Sequence, residues 1–134
     1  MRRCLALLIV LAVAASAFAV HTARKKREAA YQAKLRTYSQ VFHPGITRKA
    51  LEDDLRSSST NFTRLATRFD PERAPQVGDL VKLGEGTSPF GCTDAYVYVA
   101  FVFTPSTPPN PAAIQPNDSD VLERIELFSW ADCL

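Results

Sequence analysis

The hydrophobic and polar positions divide the chain into an apolar start, an amphipathic stem and a body of mixed pattern. The run Cys4–Val20 holds seventeen residues without a charge. Between residues 22 and 42, apolar side chains recur at spacings of four, three and four, which predicts a helix with one apolar face that packs on the body. The residues of this stripe are Tyr31, Leu35, Tyr38 and Phe42.

A second, shorter helix is predicted directly after the stem. Thr47 is a favourable N-cap residue. Ile46 precedes it and Leu51 follows four residues later, which is the spacing of a hydrophobic staple. Leu51 and Leu55 add an apolar pair on one face, and the serines Ser57–Ser59 end the helix after about ten residues.

The rest of the body reads as strands and loops. Four segments alternate or are rich in β-branched and aromatic residues: Asn61–Thr67, Gly78–Gly84, Asp94–Thr104 and Val121–Trp130. Asp94–Thr104 is apolar on both faces, which predicts a central strand. The proline-rich segment Pro105–Asp120 predicts an extended loop. The pattern therefore predicts an α+β fold, with two helices packed on a small antiparallel sheet of three to four strands.

Cys92 and Cys133 flank the last two predicted strands. If these strands form an antiparallel hairpin, residues whose numbers sum to about 225 face each other, so that Phe103 opposes Leu122 and Cys92 opposes Cys133. A disulfide there would stabilise the fold by roughly 4 kcal/mol in the chain-entropy model, and it would indicate an oxidising compartment. The alternative is a pair of free thiols in a reducing compartment.

Charge is distributed unevenly along the chain. Residues 1–42 hold eight basic residues against Glu28, and residues 43–134 hold eight basic against thirteen acidic residues. An acidic body argues against nucleic-acid binding, which requires clustered positive charge. The basic cluster after the apolar run is predicted to contact lipid headgroups, although a solvated helix flank has the same pattern. The cluster consists of Arg24, Lys25, Lys26 and Arg27.

The apolar start fits either a cleaved signal peptide or a retained anchor. Ala17–Ala19 has the small-x-small form that signal peptidase recognises, with cleavage before Val20. If the segment is retained, the uncharged residues up to Ala23 extend it to about 30 Å of helix, enough to span a bilayer. We favour the anchor, which divides the chain into an anchor at 1–23, a basic juxtamembrane helix at 24–42 and a small α+β domain at 43–134.

The predicted location depends on which signal is weighted. The basic residues on the C-terminal side of the run would place the body in the cytoplasm. The cysteine pair favours an oxidising compartment. We therefore predict inner-membrane anchoring through residues 4–23 with the body in the periplasm. The alternative is a secreted or periplasmic protein cleaved after Ala19.

The residue types that carry catalysis are sparse. The two histidines, His21 and His43, lie outside any metal-binding spacing, and no histidine neighbours Cys92 or Cys133 in sequence. The glycine-rich Gly84–Gly91 lacks the Lys-Ser/Thr ending of a phosphate loop and reads as a turn. We therefore predict no enzymatic activity, no metal and no cofactor.

Around "HPGITRKALEDDL", from His43 to Leu55, the chain resembles the SmpA/OmlA (BamE-like) domain of the bacterial cell envelope. That family carries a similar glycine loop, capping threonine and short amphipathic helix. The resemblance implies two helices packed on a small antiparallel sheet, and a role in the envelope. Family members that serve outer-membrane barrel assembly are lipoproteins, whereas this chain lacks a lipobox. The resemblance therefore implies the fold more than the assembly role.

Two binding functions follow from these features. The first is a scaffold or protein-binding domain for another envelope protein, with Arg48, Lys49 and Glu52 on the exposed side of the short helix as contact residues. The edge strand near Asn61–Thr67 is a second candidate surface, because an edge accepts a partner strand. The alternative is a secreted module, cleaved after Ala19, that binds a cationic ligand or acts as an inhibitor and whose acidic body recognises a basic or cationic target.

Overall fold

The fold contains two helices followed by four strands. In the computed structural model, the described backbone covers residues 2–70, 72–88, 92–106 and 115–133, and the described side chains cover 12–70, 72–88, 95–106 and 115–131. The elements are α1 (Arg2–Val41), α2 (Arg48–Ser57), β1 (Thr63–Thr67), β2 (Gln76–Glu85), β3 (Cys92–Thr104) and β4 (Val121–Cys133). The predicted α+β class is confirmed, and every predicted helix and strand is present.

The chain forms two compact units, Met1–Ala33 and Lys34–Leu134. The described residues of the first unit are all helical, since α1 runs from Arg2 to Val41. None of the helices in the described part of the chain has the length and apolar character needed to cross a membrane. The second unit contains the last turns of α1 together with α2 and the sheet.

The four strands form one antiparallel sheet in the order β1-β2-β3-β4. Each strand pairs with the next one along the chain, so the connections are hairpins. The prediction that Asp94–Thr104 is a central strand is confirmed by β3, whose Val99, Ala100 and Phe101 are fully buried. Val99 and Phe101 point to one face of the sheet and Ala100 points to the other. All three are buried because side chains cover β3 on both faces.

The register of β3 and β4 confirms the predicted cross-strand pairs. Phe103 lies opposite Leu122, and Cys92 lies opposite Cys133. For the pairs between them, such as Tyr98 and Phe128, the residue numbers sum to 226 instead of 225. The register shifts by one residue near each end of the hairpin, and the two shifts cancel. The side chains of both cysteines, and the middle of the proline-rich loop, lie outside the described residues.

One face of the sheet packs against the helices. Leu51 and Leu55 of α2 are buried against the sheet residues Val99, Phe101 and Phe103. Leu35 and Tyr38 of α1 also pack here, together with Phe42, which directly follows α1. The rings of Tyr38 and Phe42 each meet the Phe101 ring edge-on, at 5.5 and 5.6 Å between centroids. For Leu35, Tyr38 and Phe42, these contacts confirm the predicted packing of the stripe on the body. Burial of aromatic and aliphatic side chains is the main stabilising contribution of this layer.

The second sheet face carries a smaller cluster, formed by Leu80, Ala100 and Val102. The apolar residues described around it come from the strands and from the loop after β1, and none comes from a helix. Phe69 of that loop lies directly on Gly78, where an added Cβ would approach the Phe69 ring to 2.4 Å. Glycine is therefore required at this position for the ring to cover the sheet.

Candidate functional site

The connection between the two helices is fixed to the start of β4. Gly45 adopts a φ of 99°, a conformation that favours glycine, and its N–H donates to the carbonyl of Leu122 at 2.9 Å. Thr47 caps α2 as predicted, accepting from the N–H of Ala50. The N–H of Arg48 donates to the carbonyl of Asp120 at 2.7 Å. These bonds place the first turn of α2 against the sheet.

Arg48 lies in the interior, with 0% of its surface exposed. Its guanidinium donates to Asp79 Oδ1 at 2.7 Å and to the carbonyl of Val77 at 3.0 Å, and it lies 3.4 Å from Asp120 Oδ2. The guanidinium carbon lies 4.1 Å from the centroid of the Phe103 ring, which is a cation–π contact. Arg48 therefore joins α2, β2 and the loop before β4.

Glu52, one turn further along α2, is also buried, with 1% of its surface exposed. The guanidinium of Arg64 in β1 donates two hydrogen bonds to the Glu52 carboxylate, from Nε to Oε1 at 2.8 Å and from Nη2 to Oε2 at 2.7 Å. Arg56 adds a bond of 2.5 Å to Oε2. Bidentate pairs of this kind are among the stronger hydrogen-bonded contacts in proteins.

The buried charges shift one another's protonation equilibria. Burial raises the pKa of Asp79 to about 7; the Arg48 and Arg64 charges oppose this rise, and the charge of the neighbouring Glu52 contributes to it. Burial lowers the pKa of Arg48, whereas Asp79 and Asp120 raise it. Asp79 Oδ2 and Arg48 Nε have no hydrogen-bond partner, so the cluster is under-satisfied as well as desolvated.

The prediction that Arg48 and Glu52 lie on the exposed side of α2 is wrong. They share the buried face with Leu51 and Leu55, because positions 48, 51, 52 and 55 recur at the helical spacing. That spacing was visible in the sequence, but charged residues are seldom buried unless they are paired, and the sequence does not show the pairing partners. Lys49 is exposed as predicted and bonds Asp53 at 2.9 Å on the outer face.

The other predicted site residues are located as follows. Arg24, Lys25 and Lys26 are exposed on α1, and Arg27 is half-buried. Their lipid contact stays a prediction. Cys92 and Cys133 occupy paired positions at the open end of the β3–β4 hairpin, and the disulfide itself also stays a prediction. In the described part of the chain, His, Cys, Asp and Glu do not form a group of three or more that could hold a metal ion.

No family model, curated protein or solved structure matches the chain. The likeness to the SmpA/OmlA domain around Pro44–Leu51 therefore stays a resemblance between short motifs.

A candidate binding site lies where β1 ends. β1 pairs with β2 only from Gln76 to Leu80, and in the described ranges no strand pairs with Val81–Gly84 on this side. A cavity of about 560 Å³ lies beside these unpaired residues, lined also by Thr60 and Asn61. Sequence reasoning identified Asn61–Thr67 as an edge, but the open half of β2 depends on where the two strands diverge.

The divergence begins at the end of α2. The helix ends in a left-handed residue, Ser59, with φ 56°. The N–H of Thr60 donates to the carbonyl of Leu55 at 2.8 Å and that of Ser59 to the carbonyl of Arg56 at 3.0 Å, which is a Schellman motif. Thr60 is thus bound to the helix end, and pairing with β2 begins only at Thr63, opposite Leu80. The cavity lies beside the residues between these two points.

Proposed function

We propose that the chain is a non-catalytic protein-binding domain of the cell envelope. The observation that carries the proposal is the open half of the β2 edge, Val81–Gly84, with the cavity beside it. A partner segment in extended conformation would add to this edge through main-chain hydrogen bonds, and one of its apolar side chains would enter the cavity beside Leu83. This extends the edge-strand hypothesis from β1 to its neighbour.

The polar residues of α2 support a binding rather than a catalytic function. Arg48 and Glu52 are engaged in contacts that hold α2 to β2 and β1. Catalytic groups instead lie where a substrate can reach them. The raised pKa of Asp79 has a structural cause, since its side chain is buried beneath α2 beside Arg48.

We also propose that residues 4–23 hold the domain at the inner membrane, with the body in the periplasm and another envelope protein as partner. Arg24–Arg27 would then lie at the headgroups. The uncharged run before this cluster and the paired positions of Cys92 and Cys133 support this location. The competing proposal is release after cleavage behind Ala19, with the acidic body binding a cationic target.

The test is co-purification of partners from solubilised membranes with full-length protein, in which Asn61→Trp is compared with wild type. Asn61 is exposed and lines the cavity, so tryptophan there would obstruct the edge. Ser57→Trp, on the exposed side of α2, is the matched control. We expect a partner with wild type and Ser57→Trp that is lost with Asn61→Trp. Recovery of lipid alone with wild type, or equal recovery with both variants, would reject the proposal.

A further inference from the structure

Four aromatic residues form a continuous block on the sheet face that the helices do not cover. Tyr96 and Tyr98 of β3 pair with Trp130 and Phe128 of β4, respectively. Side chains two residues apart on a strand share a face, so both tyrosines lie on the same face as Ala100 of the second cluster. We call these four residues the aromatic block.

The aromatic block is accessible. Trp130 is 42% exposed, and the other three rings are half-buried. Phe69 covers the other end of this face, where it packs edge-on against Phe128 at 5.0 Å between centroids. The rings of Phe128 and Trp130 lie 6.2 Å apart. Accessible tryptophan and tyrosine side chains on a sheet are typical of protein interfaces, in which these residue types are enriched.

Opposite charges lie on the two sides of the block. Lys82 of β2 is level with Tyr98, and its Nζ lies 3.4 Å from the centroid of the Tyr96 ring. Glu126 of β4 lies opposite Ala100 of β3, in the next row of side chains on the same face. Its carboxylate accepts a hydrogen bond from Arg124 Nε at 3.1 Å. The surface therefore carries a lysine at one side and, at the other, the carboxylate of Glu126 in an ion pair with Arg124.

We propose that the aromatic block binds a second copy of the chain, face to face, about a two-fold axis that runs along β3. Such an axis places β2 of one copy opposite β4 of the other. Lys82 of each copy then faces Phe128 of the second copy. Glu126 of the second copy lies in the next row of side chains. Two-fold symmetry repeats this contact, so the surface is complementary to itself, as an isologous interface requires.

The size of the block sets the strength of the association. Together with Lys82, Ala100 and Glu126, the block extends over three strands and three rows of side chains, or roughly 14 by 20 Å. A stable interface buries about 800 Å² per partner, so the dimer is weak and reversible, with a dissociation constant in the micromolar range or above. The proposal uses a face of the sheet rather than the β2 edge, but the two surfaces share Lys82. Variants at Glu126 and Trp130, which lie away from the edge, therefore test the dimer separately from the proposed function.

The test is sedimentation velocity of the full-length protein over a range of concentrations, with charge reversals at Lys82 and Glu126. Lys82→Glu and Glu126→Lys each bring like charges within one row of side chains across the interface, so each weakens the dimer by about tenfold or more. The double variant restores the opposite charges and recovers most of the affinity. Lys49→Glu, an equivalent charge change on the exposed side of α2, leaves association unchanged.

Trp130 supplies a second readout because it is the only tryptophan in the chain. Its emission shifts to shorter wavelength as the protein is concentrated, and Trp130→Ala abolishes the dimer without relying on the charge variants. A monomer at every concentration overturns the proposal. The proposal is also overturned if the double variant dimerises no more strongly than either single variant. A shift of Trp130 emission that occurs only when a glycan or another protein is added overturns it as well.

Discussion

Three buried carboxylates surround Arg48, and each comes from a different segment of the second unit: Glu52 from α2, Asp79 from β2 and Asp120 from the loop before β4. Taking such charges out of water costs several kcal/mol per ion, which their mutual attraction offsets only while every partner is present. The cluster thus fixes the position of α2 rather than adding much net stability. Arg48 holds this arrangement because it contacts two of the carboxylates directly.

Removing Arg48 should destabilise the domain far more than removing the lysine beside it. Arg48→Ala leaves Asp79 and Asp120 buried without their cation, so we expect the free energy of unfolding to fall by about 3–5 kcal/mol. Lys49→Ala removes only an exposed charge, and we expect a change within about 0.5 kcal/mol. Urea denaturation of both variants measures the difference. Equal midpoints would contradict the buried assignment of Arg48.

The raised pKa of Asp79 predicts that stability decreases as the pH rises. Between the ordinary value of 3.8 and about 7, the folded state keeps a proton that the unfolded state has released. The free energy of unfolding therefore falls through this window and levels off above it, by at most about 4 kcal/mol. Arg48, Glu52 and Arg64 are the charged groups that face this carboxyl.

Asp79→Asn provides the control for this pH dependence, because the amide keeps an acceptor for Arg48 but cannot ionise. Denaturation of the wild type and the variant should be measured at intervals from pH 4 to pH 8. We expect a downward slope in the wild type and a flatter profile in the variant. Parallel profiles would show that another group causes the slope.

At the scale of elements, the two ends of α2 differ in how well their residues suit the backbone. Thr47 is a preferred cap, whereas Ser59 adopts a positive φ that favours glycine. Ser59→Gly should therefore raise the free energy of unfolding by about 1 kcal/mol. Ser57→Gly, in the last helical turn, should lower it instead. A thermal or urea unfolding series checks both signs, and a loss of stability with Ser59→Gly would contradict the assigned cap.

The β3–β4 hairpin carries the prediction about redox state. The pairing of Cys92 with Cys133 closes a loop of about forty residues, and oxidation should add roughly 4 kcal/mol. Urea midpoints of the wild type should fall on reduction, whereas those of a Cys92→Ser, Cys133→Ser double variant should not respond. A wild type insensitive to reductant, with both thiols titratable, would refute the disulfide.

At the scale of the whole molecule, the proposals differ in whether residues 4–23 are retained as an anchor or removed by cleavage. The intact mass of the protein from its native fraction distinguishes the two proposals. We expect the full-length mass in the membrane fraction, rising by two hydrogens on reduction. A mass beginning at Val20 in a soluble fraction would establish the released form. Full-length protein with free thiols would instead indicate that the body faces a reducing compartment.

The sequence by itself determined the elements and their order. Local patterns suffice for this: the period of apolar residues predicted the helices, Thr47 predicted where α2 begins, and the apolar run Asp94–Thr104 predicted the central strand. The numbering symmetry about the proline-rich loop even predicted the register of Cys92 with Cys133. These features depend on neighbours along the chain or within one hairpin, so the sequence displays them directly.

Only the tertiary structure decided which residues are interior, paired or open to a partner. Arg48 and Glu52 are buried because Asp79 and Arg64, distant in sequence, come close enough to pair with them. The open edge at Val81–Gly84 and the aromatic block depend in the same way on where strands diverge and which face the helices cover. Such properties follow from contacts between segments far apart along the chain, and the local pattern does not contain them.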